Sequence, residues 1–270
     1  MYRYCLYYNI SILLLPAAVP VVYGQSTFGA AAAGLNSLTA YPEKGPWPVL
    51  NNPSHLDVEK PVIGVFGFQT AGFTELTDLA AAIALKIPGS SAGIGIHQYG
   101  FSLFRETRIR LACSISAGPI RTGVALNYLT IHQGDGFGSA SGRSLDIGFS
   151  TILHPGITLS GKVDNLTRAR FGALPGSIPH RVSAGISYHL SDRSLSLLEW
   201  VRETPYPDSW RFGIQSFVLP SLPIRGGVAT EPGIWSFGFG YQTDLWEVNV
   251  AVQHHELLGI SPGFDLIVQF

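Results

Sequence analysis

The sequence predicts an all-β chain, a transmembrane antiparallel β-barrel of about fourteen strands. Three observations carry that expectation. Only 13% of the 270 residues are charged while 46% are hydrophobic, lean beside the roughly 25% charge of an average soluble chain. Past residue 24, no stretch is continuously apolar over the ~20 residues that a membrane helix needs. Instead, apolar residues recur at every second position from residue 61 onward, which is how a closed barrel disperses its lipid face while pairing its whole backbone. A soluble β-sandwich alternates too. The rows here are rich in aromatics, with Trp and Tyr near strand ends, as membrane-interface girdles are.

Taken from the front, Arg3 precedes an apolar stretch from Ile10 to Val22, and Val22-Tyr23-Gly24 before Gln25 resembles a small-residue cleavage site. Residues 1–24 therefore read as a secretory signal peptide that is removed. The alternative is an N-terminal anchor, disfavoured because Pro16 and Pro20 interrupt a stretch already short for a span. Of two cysteines, Cys5 lies in that segment and Cys113 stands alone, so neither a disulfide framework nor a cysteine metal site is expected. A formal net charge of −1 gives no basic surface for nucleic acid.

Residues 25–60 do not alternate. Phe28 to Ala40 is rich in Ala and Gly, and Tyr41-Pro42-Glu43-Lys44-Gly45-Pro46-Trp47-Pro48 follows. Two readings are open: a periplasmic arm, or a segment tucked into the barrel as a plug.

Residues 61–270 form the barrel. Strands are expected near 61–68, 78–87, 92–103, 107–116, 121–131, 144–153, 157–165, 181–190, 194–203, 209–218, 223–230, 234–242, 246–254 and 263–270. An even number suits a single-chain bacterial barrel, and a count of twelve stays open. Rows such as Leu79, Ala81, Ile83, Leu85 and Trp235, Phe237, Phe239, Tyr241 define the outward face. Even-numbered joins carry tight-turn residues, Gly118-Pro119 and His154-Pro155-Gly156 among them. Longer joins fall on the odd side at 69–77, 132–143 and 165–180. At the end of the chain, Phe264, Leu266, Val268 and Phe270 share one face opposite Asp265 and Gln269. They read as a closing strand and terminal assembly signal, making outer-membrane lipid and the barrel assembly machinery the expected partners.

Chemical motifs are few. Alternation points Arg108, Arg110, Arg181, Arg211 and Arg225 into the lumen, with Glu199, Glu247 and Asp265 as candidate partners. His189 and Ser191 share a strand face in a His-x-Ser pattern resembling barrel lipid deacylases, but no acid is evident to hold a base in place. An outer-membrane lipid hydrolase is therefore the rival class. Gly89-Ser90-Ser91-Ala92-Gly93 matches Gly-x-Ser-x-Gly, a motif that works where a strand turns into a helix, and here a second strand follows. His254-His255-Glu256 lacks the second histidine of a zincin helix. No catalytic residue, cofactor or metal site is expected. In the odd-side loops, Phe137, Arg168, Arg170 and Phe171 combine aromatic and cationic groups, so the extracellular mouth is the expected place of cargo contact.

Trp47-Pro-Val-Leu-Asn51-Asn52-Pro53-Ser54-His55-Leu56 resembles the N-terminal Asn-Pro-Ala-Gly-Leu signature of FadL-like outer-membrane barrels, in particular their PorV/PorQ-type branch. Further matches follow in order. Leu174-Pro175 with His180-Arg181-Val182-Ser183-Ala184-Gly185-Ile186-Ser187-Tyr188 is similar to that branch's Leu-Pro, Arg-x-Gly-x-Ser-Tyr strand. Arg225-Gly226-Gly227 and Gly238-Phe239-Gly240-Tyr241 are similar to two more, and His255-Glu-Leu-Leu258-Gly259-Ile-Ser261 to its closing motif. Ser54-His55 stands where the family has Ala-Gly. The resemblance implies an outer-membrane protein without enzymatic activity, and it marks Trp47, Asn51, Asn52, Pro53 and Leu56 as the plug motif. It implies an accessory role in type IX-like protein secretion, with secretion components as partners. Its alternative is uptake of a hydrophobic small molecule.

Overall fold

In the computed structural model of the protein, residues 27–36, 39–134, 138–172 and 178–270 are described. Fourteen strands close into one antiparallel barrel. The first seven are β1 (Val62–Gln69), β2 (Thr77–Ile87), β3 (Ser90–Gly100), β4 (Phe104–Ala117), β5 (Ile120–Gln133), β6 (Gly138–His154) and β7 (Ile157–Asp164). The second seven are β8 (Arg181–Ser191), β9 (Ser194–Glu203), β10 (Ser209–Leu219), β11 (Leu222–Ala229), β12 (Ile234–Gln242), β13 (Trp246–His255) and β14 (Gly259–Gln269). Each pairs with its sequence neighbours, and β1 meets β14 from Val62 opposite Gln269 to Phe68 opposite Gly263. Closure leaves no edge strand, so the wall's backbone pairs strand to strand around the whole ring, as a bilayer demands.

The alternation sorts side chains as expected. Phe237, Phe239, Trp235 and Tyr241 of β12 face outward and are exposed, whereas Ser236, Gly238 and Gly240 face inward and are buried. On β14, Phe264 and Phe270 are exposed on the outside while Asp265 is fully buried in the lumen. Interface aromatics stand at both ends of the wall: Tyr241 and Trp246 pack 5.5 Å apart at one, and Trp235 stacks on His254 at the other.

The joins divide the barrel into two unlike ends. Even-numbered joins are tight, such as Pro88-Gly89 and Pro155-Gly156, with Gly89 and Gly156 at positive φ. The odd-numbered joins include residues 70–76, which carry two 3-10 turns, and the long β7–β8 segment of residues 165–180. One expected loop is corrected here. The segment 132–143 is mostly strand: β5 runs to Gln133 and β6 starts at Gly138. This extension is polar on its outer face, with Ser139, Ser141 and Arg143 outward, and small on its inner face, with Gly138, Ala140 and Gly142, because it rises past the lipid-facing belt where no outward apolar row is needed. Likewise the Gly-x-Ser-x-Gly match is the β2–β3 hairpin, and His189 and Ser191 sit exposed at the tight-turn end.

Candidate functional site

Residues 27–36 and 39–58 lie inside the barrel, and the wall is built around them. The segment contains a five-residue helix, Ala30–Gly34, and two 3-10 turns, Trp47–Val49 and Pro53–His55. Pro48 and Pro53 sit in the first positions of their turns, where a missing N–H costs nothing. Asn52 then caps the second turn, its Oδ1 accepting from Ser54 N at 3.1 Å.

One flank of the segment is apolar. Phe28, Trp47, Leu50 and Leu56 are fully buried against Val62, Phe66 and Phe68 of β1 and the alanine row Ala80, Ala82, Ala84 of β2. Small wall residues make room for large plug residues. At Gly95 an added Cβ would lie 2.6 Å from Leu50, at Gly64 2.8 Å from Pro46, and at Gly123 it would run into the Pro53 carbonyl. These inward glycines are used for close approach, because even a methyl group has nowhere to go.

The other flank is held by hydrogen bonds from plug backbone to wall side chains. Ala30 N donates to Asp265 Oδ2 at 2.6 Å, and Ala40 N to Glu199 Oε2 at 2.9 Å. Gln253 Nε2 donates to Ala33 O at 2.9 Å, and Ser236 Oγ to Gly34 O at 3.0 Å. Within the plug, Asn51 clamps Phe28, accepting from its N at 2.6 Å and donating to its O at 2.7 Å. Arg110 reaches Asn51 O at 3.2 Å, and Ser114 Oγ donates to Leu56 O. A backbone without regular structure is tolerable at membrane depth only when walled in and satisfied like this.

His55 joins plug and wall. Burial pushes its imidazole down to about 4, so the ring is neutral at ordinary pH. Tyr41 O lies 2.8 Å from Nδ1 and can only accept; Nδ1 therefore carries the hydrogen, and Nε2 accepts from Ser160 Oγ at 3.0 Å. Glu43, buried near Asp265 and Glu247, is held well above the usual carboxylate range, chiefly by loss of water.

All five arginines expected inward do face the lumen, and Glu199 stands directly across from Arg211 in the β9–β10 register, but two of the expected partners also do a second job. Glu199 and Asp265 hold the plug, as described, and Arg225 has Glu247 at 3.7 Å with Gln215 and Asn249 at 2.7 Å. Arg110 pairs with Asp146 at 2.9 Å, Arg181 with Glu203, and Arg108 with Glu106 at 3.5 Å. Those acids escaped sequence reasoning, although inward parity on β4, β6 and β9 was a usable signal.

The β7–β8 segment also departs from expectation. Phe171, anticipated at the mouth as a cargo contact, is buried with Ile178 against Leu129 and Ile131. Asn165 organises the fold-back: its N donates to Asp146 Oδ1 at 2.7 Å and its Nδ2 to Ile178 O at 2.8 Å. Arg168 and Arg170 are exposed on this segment, while Phe137 and the Leu174-Pro175 pair lie outside the described residues. The described residues 165–172 and 178–180 thus fold down over part of the long-join end of the lumen. Below the plug, at the tight-turn end, a wide vestibule of about 720 Å³ opens between Glu43, Asp57, Arg121 and Glu247. Among the described residues no three potential metal ligands cluster.

The sequence matches no protein-family model, and no curated protein matches it. Solved structures do. The toluene transporter TbuX of Ralstonia pickettii superposes with a TM-score of 0.70 at 12% identity, covering 91% of this chain and 99% of that one. The toluene transporter TodX of Pseudomonas putida gives 0.66 at 11% identity, covering 91% and 97%. A FadL homologue of Pseudomonas aeruginosa gives 0.64 at 11% identity, covering 92% and 99%. A cover of 91% exceeds what residues 62–270 supply alone, so the shared fold extends into the N-terminal segment. The likeness establishes a FadL-like barrel fold.

Proposed function

We propose that this protein is an outer-membrane channel for small hydrophobic compounds, closed at rest by the N-terminal segment whose described residues, 27–36 and 39–58, fill the lumen. The observation that carries the reading is the stoppered lumen of a fourteen-strand barrel. An open water-filled pore serves polar solutes, but here the bore is filled by a packed segment with its own apolar core against β1 and β2. A sealed lumen is of use to a cargo that must be handed across while water and ions are held back. The similar structures support the reading, since two of the three are toluene transporters. The secretion role rests on the PorV/PorQ-type motifs alone, and transport has the broader support. No residue is assigned to catalysis.

Entry of toluene into lipid vesicles carrying the purified protein tests this. Vesicles with the protein should take up toluene faster than empty ones while staying tight to a polar solute such as arabinose. Equal toluene rates in both would overturn the reading.

A further inference from the structure

Where Asn165, Ile178 and Pro179 of the β7–β8 fold-back meet inward side chains of β4, β5, β6, β8 and β9 lies a second, small pocket of about 50 Å³. We propose that it binds the hydroxyl group of a small amphipathic alcohol, the rest of the molecule lying against the apolar side of the fold-back. This deepens the transport reading above and rests on it.

The pocket's charges cancel pairwise. Arg181 is bound to Glu203, Asp164 to Lys162 at 2.8 Å, Asp146 to Arg110 at 2.9 Å, and Arg108 lies 3.5 Å from Glu106. An ionic ligand would bring an uncompensated charge into a wall already balanced, at a desolvation cost with no partner to offset it. A neutral polar group meets no such penalty.

Two polar atoms of the lining side chains are left unmatched. Asn127 is buried, 6% exposed, and its Oδ1 has no hydrogen-bond partner; neither has Nε of Arg108. Buried polar atoms are rarely left so. One is an acceptor and the other a donor, and a hydroxyl can donate to the first while accepting from the second. A hydrocarbon can do neither. Leu129, Ile178 and Pro179 supply the apolar side of the same pocket, continuous with the cluster around Phe171. The volume suits a polar head and a few waters, so an aromatic ring would rest along that cluster.

The test uses the full-length protein in detergent and two fluorinated probes followed by ¹⁹F NMR titration, 4-fluorobenzyl alcohol and 4-fluorotoluene. The alcohol should bind about tenfold more tightly, a difference of about 1.4 kcal/mol, and Asn127→Leu should erase the preference. Equal affinities in the unmodified protein would overturn the proposal whether or not the variant folds, as would a preference that survives in a folded Asn127→Leu. Water as the sole occupant gives the equal-affinity result. Toluene entry into vesicles separates the two readings: entry without an alcohol preference sinks only the pocket, and alcohol binding without toluene entry sinks the channel.

Discussion

The outer and inner walls of this barrel are made from the same strands, residue by alternate residue, and they obey different rules. Outside, Phe237, Phe239 and Ile214 are large and exposed, and what matters is that they are apolar. Inside, Gly123, Ser236 and Asp265 each meet one particular partner on the plug, and what matters is fit. The outer wall is a solvent problem and the inner wall a packing problem. Chemistry should therefore dominate substitutions on one face, and shape and hydrogen bonding those on the other.

The largest effect is expected outside. Phe237→Arg puts a cation at the middle of β12's lipid face and should cost about 2–4 kcal/mol, read by urea unfolding from lipid vesicles. Phe237→Leu, which keeps the face apolar, should cost far less; equal losses would mean that packing matters on both faces. Next comes Gly123→Val on the inner wall, where the new side chain meets the Pro53 carbonyl. Plug backbone cannot yield as a flexible side chain would, so the seat should loosen by about 1–3 kcal/mol. Protease cleavage within residues 27–58 should rise while the barrel keeps its heat-modifiable gel migration. A barrel that fails to assemble would show that plug and wall fold as one unit. The smallest effect belongs to the vestibule rim. Asp57 is half exposed beside Arg121 at 2.7 Å, and Asp57→Ala should change stability by about 0–1 kcal/mol.

The same contrast explains what was legible in the sequence. All fourteen strands could be placed because the outer wall writes a period of two into the chain, and tight turns such as Pro155-Gly156 punctuate it. Where β5 and β6 leave the lipid belt the pattern stops, so Gly138 to Gly142 resembled a loop. The plug's seat was hidden for another reason. Ala30 and Asp265 are 235 residues apart, and Thr39 and Glu199 are 160 apart, so nothing local marks either acid as a plug anchor in addition to an arginine's partner. Glycines at inward positions on several strands were the available clue, since a lumen of ordinary width has no need of so many small residues. Phe171 misled because a long Gly-containing loop reads as mobile, whereas Asn165 folds it down over Leu129.

The central claim, a lumen stoppered by its own N-terminal segment, is tested most directly by ion conductance across a planar bilayer. The unmodified protein should insert and stay silent, and Gly123→Val should open long-lived conducting events. Steady porin-like current through the unmodified protein, unchanged by Gly123→Val, would contradict the account.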